Sequence, residues 1–407
     1  MKVLMFGWEF PPLKSGGLGT ACYDLTKGLS RQGIDVTFVM PTVPDGTKAD
    51  FVKLVGANRI LKNVKYRKIN SILTPYMSSQ SYADGLHQIK VNTTSGSKDI
   101  YGKNIYDEVH RYGEAAKEIA LDEEFDIIHV HDWMTYKAGI NAKSVSGKPL
   151  VAHIHATEGD RTGGNPNTYI SGIEYEGLKS ADLVIANSNY TKNNVMREYG
   201  IDSKKIEVVH WGIDPENPHY KTNYKSPINK EDKIVLFLGR VTIQKGPDYF
   251  IKAAKAVSDY VKNVKFVIAG NGDMLPRIVE EATASGIADK VIFTGFLSGA
   301  DVHKAFQMAD LYVMPSVSEP FGLVALESMK NNTPVLMSKQ SGVSEVVNHA
   351  LKVDFWDIKE MANKIIGVLQ HPVLQEELTQ NSFIESQKFN LDEPARKTIE
   401  CYAKVMR

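Results

Sequence analysis

Short apolar runs alternate with longer amphipathic ones along most of the chain, and this alternation constrains the fold more than any other feature. A brief apolar run bounded by turn formers reads as a buried strand, and the amphipathic stretch after it as a crossover helix. Repeated, the two build βαβ units and a parallel sheet. In the first half the strand runs are Lys2–Phe6, Asp35–Met40, Ile127–Val130, Leu150–Ile154, Leu183–Asn187 and Ile206–Val209. Helices are expected over Thr20–Gln32 and Ile105–Leu121. Polar text from Ile213 to Asp232, interrupted by Pro215, Pro218 and Pro227, reads as a linker. A second series follows at Lys233–Leu238, Val264–Ala269, Val291–Thr294, Leu311–Met314 and Pro334–Met337. The expected fold class is therefore α/β, with two Rossmann-like doubly wound parallel-sheet domains facing each other across a deep cleft. Residues 42–104 break the scheme with Ser/Thr-rich patches, and a stretch that long is expected to hold strands or a hairpin of its own.

Bulk properties narrow the class. A chain of 407 residues exceeds one comfortable core. Lys plus Arg equals Asp plus Glu at 48 each, so no global field recruits nucleic acid or an anionic membrane. Two cysteines, Cys22 and Cys401, are too few for a disulfide framework, which suits a reducing cytoplasm. The run Lys2–Phe6 is too short for a signal-peptide core, and no stretch of about 20 apolar residues argues for a membrane span. Peripheral attachment through an amphipathic helix is left open.

The most informative segment is Glu319-Pro320-Phe321-Gly322-Leu323-Val324-Ala325-Leu326-Glu327. It follows a strand and opens a helix that continues through Lys330, the place where open α/β sheets bind phosphorylated ligands. A carboxylate at each end can bond two sets of hydroxyls, while the backbone N–H groups of Phe321, Gly322 and Leu323 meet an anion. Nucleotide sugars have that layout.

Other motifs admit a plain reading beside a functional one. Gly16, Gly17 and Gly19 follow the first strand, where glycines serve packing or let an anion approach bare N–H groups. Arg240 and Lys245 follow the strand Lys233–Leu238, as solvated cations or as a diphosphate clamp. Gly270 and Gly272 end another strand, near a base or diphosphate or simply in a turn. His129, His131, His153 and His155 lie at period-two spacing, so each pair shares one side of its strand. No cysteine stands beside them in sequence, which favours structural histidines over zinc, and no metal is expected. Asn187-Ser188 with Thr191 reads as a helix cap. No Asp-x-Asp pair occurs to hold a divalent ion.

Met5-Phe6-Gly7-Trp8-Glu9-Phe10-Pro11-Pro12, the Gly16–Gly19 loop and the Glu319–Glu327 pattern together resemble retaining GT-B glycosyltransferases of the bacterial glycogen synthase-like group. The resemblance spans nearly the whole chain. It implies an acceptor-side domain over 1–215, with a C-terminal helix at about 389–407 packing back on it, and a nucleotide-sugar domain over 216–388. It implies a donor clamp of Arg240 and Lys245, hydroxyl contacts from Glu319 to the transferred sugar and from Glu327 to the ribose, and an active-site His155 with Asp132 nearby. Glu158 and Arg161 continue a pattern of some members. Trp211 replaces the usual Asn at the exit to the linker. The implied reaction moves glucose from ADP- or UDP-glucose, a cosubstrate, to an α-glucan, with no cofactor. A small-sugar, lipid-linked or polysaccharide acceptor and a GT-B epimerase remain alternatives. A pyridoxal phosphate phosphorylase would be far longer, and a dehydrogenase would need a clear Gly-x-Gly-x-x-Gly.

Overall fold

The computed structural model describes residues 1–11, 17–41, 51–57, 105–222 and 232–406. Strands β1 (Lys2–Phe6), β2 (Asp35–Met40), β3 (Lys53–Gly56), β4 (Ile127–His131), β5 (Leu150–Ile154), β6 (Leu183–Ala186) and β7 (Ile206–Val208) form one sheet. Its order is β3-β2-β1-β4-β5-β6-β7, with every pairing parallel. Strands β8 (Lys233–Leu238), β9 (Val264–Ala269), β10 (Val291–Gly295), β11 (Leu311–Met314), β12 (Val335–Ser338) and β13 (Leu351–Val353) form a second parallel sheet, ordered β10-β9-β8-β11-β12-β13.

The helices of the first lobe are α1 (Gly17–Arg31), α2 (Ile105–Asp122), α3 (Trp133–Ser146), α4 (Glu158–Thr162), α5 (Thr168–Ser180) and α6 (Asn189–Tyr199). Those of the second are α7 (Pro247–Tyr260), α8 (Leu275–Ala284), α9 (Ala300–Met308), α10 (Leu323–Lys330), α11 (Ile358–Gln370) and α12 (Pro372–Ser386); α13 (Asp392–Val405) closes the chain. Both sheets reverse their strand order once, between β1 and β4 and between β8 and β11. Such a switch point leaves a crevice at the carboxyl ends of the strands.

The strands read as continuous apolar runs because helices cover both faces of a parallel sheet. β4 and β5 are buried at every position. Val3 and Met5 of β1, Cys22, Leu25 and Leu29 of α1, and Ala395 and Tyr402 of α13 belong to one apolar cluster. The final helix therefore packs on the first lobe, against α1. Ion pairs of Lys27 with Asp214 and Arg31 with Glu216, both at 2.5 Å, fasten α1 to the start of the linker.

Gly212 sets how closely the chain entering α13 can approach. A β-carbon there would stand 1.7 Å from the Asn390 carbonyl oxygen. Gly212→Ala is expected to cost about 1–3 kcal/mol through overpacking against backbone. A lowered denaturation midpoint at unchanged slope would report it, and an unchanged midpoint would show that the junction yields freely.

Most expected strands hold to within a residue. β12 begins at Val335 because Pro334 has no N–H for the ladder, although its carbonyl accepts from Tyr312 N at 3.0 Å. β3 lies within the uneven segment where strands were expected, while 42–50 and 58–104 lie outside the described residues. β13 was not expected: three residues at a sheet edge carry too little periodicity to read.

Candidate active site

β8 and β11 are neighbours at the second switch point, and the loops leaving them hold two charged groups 74 positions apart in sequence. Lys245 ends a single 3₁₀ turn, Ile243–Lys245, stopped by left-handed Gly246. Its Nζ lies 2.6 Å from Glu319 Oε2, and Ser316 Oγ donates to the same oxygen at 3.1 Å. The Glu319 backbone is fixed separately, its N–H donating to Gln340 O at 2.9 Å and its carbonyl accepting from Gly342 N at 2.8 Å. Arg240 Nη2 donates to Gln244 Oε1 at 2.8 Å, and Gln244 O accepts from Val317 N at 3.0 Å. The two loops are thereby knitted into one surface.

Phe321 is buried, and Gly322, at φ 110°, turns the chain into α10. Among the described residues no side chain caps that helix start, so the N–H groups of Leu323 and its neighbours, at the positive end of the helix dipole, suit an anion. Glu327 follows on α10. Its half-buried carboxylate has no hydrogen-bond partner among the described residues, and burial pushes it up to about 7. It acts through space on Asp24 of α1, where burial, Asp214 and Glu327 together push the carboxyl to about 8. The β9 loop packs on the β8 loop: Val241 N donates to Asn271 O at 2.9 Å, and a β-carbon on Gly270 would stand 1.8 Å from Gly239 O. Gly270 and Gly272 therefore have a packing reason in addition to any ligand role.

The first lobe supplies the other half. Asp132, at the carboxyl end of β4, adopts φ 60°, unusual for a residue other than glycine, and starts α3. Its Oδ1 accepts from His155 N at 2.7 Å. Burial pushes its carboxyl up to about 7 against the pull of Arg161 and the His155 amide. His155 Nε2 and His131 Nδ1 face each other at 2.9 Å. Burial holds both imidazoles low, His131 at about 3 and His155 well below the ordinary value, so both are neutral. Arg161 bonds Glu158, the Ala156 carbonyl and Glu174, holding the loop after β5. Gly17 is exposed at the start of α1 and Gly19 is buried, whereas Gly16 lies outside the described residues.

The halves meet at the start of α6. The expected cap is present, Ser188 Oγ accepting from Thr191 N at 3.0 Å, and the same hydroxyl donates to Pro320 O at 2.5 Å. Tyr190 OH donates to Ser318 Oγ at 3.0 Å, and Ser318 Oγ donates to Asp160 Oδ1 at 2.6 Å. Both residues flanking Glu319 are thus held from the opposite lobe. Glu345 accepts from the N–H groups of Asn189 at 2.9 Å and Tyr190 at 2.6 Å, with His210 Nε2 at 3.1 Å. Burial raises the Glu345 carboxyl, and those bonds outweigh it and leave it below the usual range.

Sequence reasoning missed this seam. Ser188 was expected to be only a cap, and no local pattern marks Tyr190, Asp160 or Glu345 as interlobe partners. It also left Trp211 without a role; its ring stacks on His153 and His155 at 5.2 and 5.1 Å between centroids. An Asn could not cover two imidazoles in that way.

Residues 15–217 match the family described as glycosyltransferase family 4, and residues 221–384 match glycosyl transferases group 1. An uncharacterized glycosyltransferase of Methanocaldococcus jannaschii is 30% identical, over 100% of this chain and 99% of its own length. A glycogen synthase of Mycobacterium tuberculosis is 26% identical over 91% of this chain and 87% of its own. Among solved structures, sucrose-phosphate synthase from Thermosynechococcus elongatus superposes with a TM-score of 0.75 at 18% identity, covering 99% and 98% of the two chains. Anabaena HepE in complex with UDP-glucose gives 0.69 at 18%, covering 99% and 100%. At that identity the structures speak for the fold alone. No helix among the described residues is long and apolar enough to cross a membrane.

Proposed function

The chain belongs to the group 1 glycosyltransferases, built on the GT-B fold, and on that premise we propose that it transfers glucose with retention from ADP- or UDP-glucose to the non-reducing end of an α-1,4-glucan. The observation that carries this reading is the 2.6 Å contact of Lys245 with Glu319 at a strand-order switch point. Breaking the anomeric C–O bond places negative charge on the β-phosphate. A cation and helix N–H groups fixed in a water-poor cleft stabilise that charge more than the ground state, which lowers the barrier. On donor arrival Lys245 exchanges its carboxylate partner for the diphosphate, with Arg240 beside it, and Glu319 turns to the sugar hydroxyls. Phe321, Gly322 and Leu323 present backbone N–H groups to the same anion. His155, neutral and oriented by Asp132 and His131, faces the transferred sugar, and Glu327 takes the ribose. Cations and dipoles supply the neutralisation, so the proposed reaction uses no metal and no cofactor, and chelators leave it intact.

The glycogen synthase relative supports the glucan acceptor. A small-sugar, lipid-linked or polysaccharide acceptor is the second reading, and a nucleotide-sugar epimerase the third. One panel separates them: ADP- and UDP-glucose with glycogen, maltooligosaccharides and simple sugars, reading nucleotide diphosphate release and product linkage. Elongated maltooligosaccharide with an α-linkage supports the proposal. Turnover confined to a small sugar, or donor isomerisation without acceptor, overturns it.

Glu327 gives this site an expected pH dependence. Its carboxyl is raised to about 7 in the free protein. Ribose hydroxyls donating to it stabilise the ionised form, so donor affinity is expected to rise as pH climbs through about 7. Below that pH, binding should release a proton. Calorimetry in buffers of different ionisation enthalpy reads the release, which Glu327→Gln should abolish.

A further inference from the structure

We propose that Cys22, His131 and His155 form a binding site for a borderline divalent cation of the Zn²⁺ class, and that filling it takes His155 out of the transfer reaction. The binding stands on geometry alone, whereas its effect on transfer rests on the glycosyltransferase reading above.

The sequence argued against a metal because no cysteine stands beside the histidines. The fold removes that ground. Helix α1 lays Cys22 over the ends of β4 and β5, where one ligand atom from each of Cys22, His131 and His155 lies within 4.8 Å of the others. All three residues are buried. The facing ring nitrogens of His131 and His155 are 2.9 Å apart. Two lone pairs at that separation must share a proton or a cation. Around one tetrahedral Zn²⁺, with Zn–N about 2.0–2.1 Å, two such nitrogens stand about 3.3 Å apart, a small adjustment from what is seen. Thiolate with imidazole is the donor set that this ion class prefers.

A second observation concerns the polar atoms around the set. His131 Nε2, His129 Nε2 and both ring nitrogens of His153 are fully buried with no hydrogen-bond partner among the described residues. Buried polar groups in folded proteins are nearly always satisfied, and a cluster of orphaned imidazoles calls for an unseen partner. His129, His131 and His153 also meet the spacing of a ligand set, so a cation has more than one way to satisfy the cluster. Burial keeps these imidazoles unprotonated, the form that coordinates, and keeps the Cys22 thiol protonated. Binding therefore releases the thiol proton as the sulfur–metal bond forms, and no redox change occurs.

The test is a titration of the chelator-treated full chain with Co²⁺ as the spectroscopic substitute for Zn²⁺. One equivalent should bind and give a sulfur-to-cobalt charge-transfer band. Cys401→Ser should keep the band. Cys22→Ser, nearly isosteric, should lose it and weaken binding about 100-fold. Equimolar Zn²⁺ should suppress glucosyl transfer, a chelator should restore it, and Cys22→Ser should resist it. Absence of saturable binding, or a cobalt spectrum without the sulfur band, overturns the site; neither depends on any variant folding. A band that survives in Cys22→Ser overturns it equally. Saturable binding of Co²⁺ by a chain that turns over none of the nucleotide sugars would keep the site and sink the transferase reading instead.

Discussion

Replacing Lys245 by alanine is expected to lower turnover with a nucleotide-glucose donor about 100- to 1000-fold, equivalent to about 3–4 kcal/mol of transition-state stabilisation. The side chain sits where it can be removed cleanly. Its backbone N–H donates to Thr242 O at 3.0 Å within the 3₁₀ turn, and Gly246 ends that turn, so the local fold does not depend on the ammonium. Glu319 keeps its bond from Ser316 Oγ at 3.1 Å. The loss should therefore fall on the charge that develops on the leaving phosphate, and it should appear in kcat more than in KM. A compact ammonium on a flexible stem suits a moving charge, so Lys245→Arg should recover only part of the rate. Activity of the alanine variant near that of the parent chain, with an unchanged melting temperature, would show that the ammonium does not grip the diphosphate.

The fold was legible in the sequence because parallel strands buried on both faces leave unbroken apolar runs, as in Ile127–Val130 and Leu150–Ile154. Edge strands bury less and run shorter, and β13 escaped for that reason. The second-lobe half of the candidate site was legible too, since Arg240, Lys245 and Glu319 lie in strand-to-helix loops, and Glu327 on the helix after one of them, at places that follow from the alternation. What could not be read is anything made by two distant segments meeting. The bond of Ser188 with Pro320 spans 132 positions and that of Asp160 with Ser318 spans 158. Both partners look like ordinary loop residues until the lobes are placed together. Cys22 approaches His155 for the same kind of reason: α1 crosses the sheet that β4 and β5 complete. Of residues 42–104, where strands or a hairpin were expected, only 51–57 are among the described residues.

Glu319→Ala is expected to be as damaging as the lysine variant, for a different reason. Two carboxylate functions are lost together: hydrogen bonds to the sugar hydroxyls that tighten as the ring flattens, and the contact that parks Lys245 in the free protein. The loop itself should stay in place. Its backbone is held by Gln340 and Gly342, and its flanking residues by Ser188 and Tyr190 from the other lobe. Glu319→Gln keeps the shape and half of the acceptor capacity, so it should fall between alanine and the parent chain. The decisive comparison is the double variant. Residues 2.6 Å apart that serve one transition state do not contribute independently. The Lys245→Ala, Glu319→Ala chain should therefore be little worse than the poorer single variant, about 100- to 1000-fold below the parent chain. Strictly multiplicative losses would mean that the two groups act on separate steps. In that case their contact in the free protein would be an incidental surface pair, and the exchange of partners on donor binding would have to be abandoned.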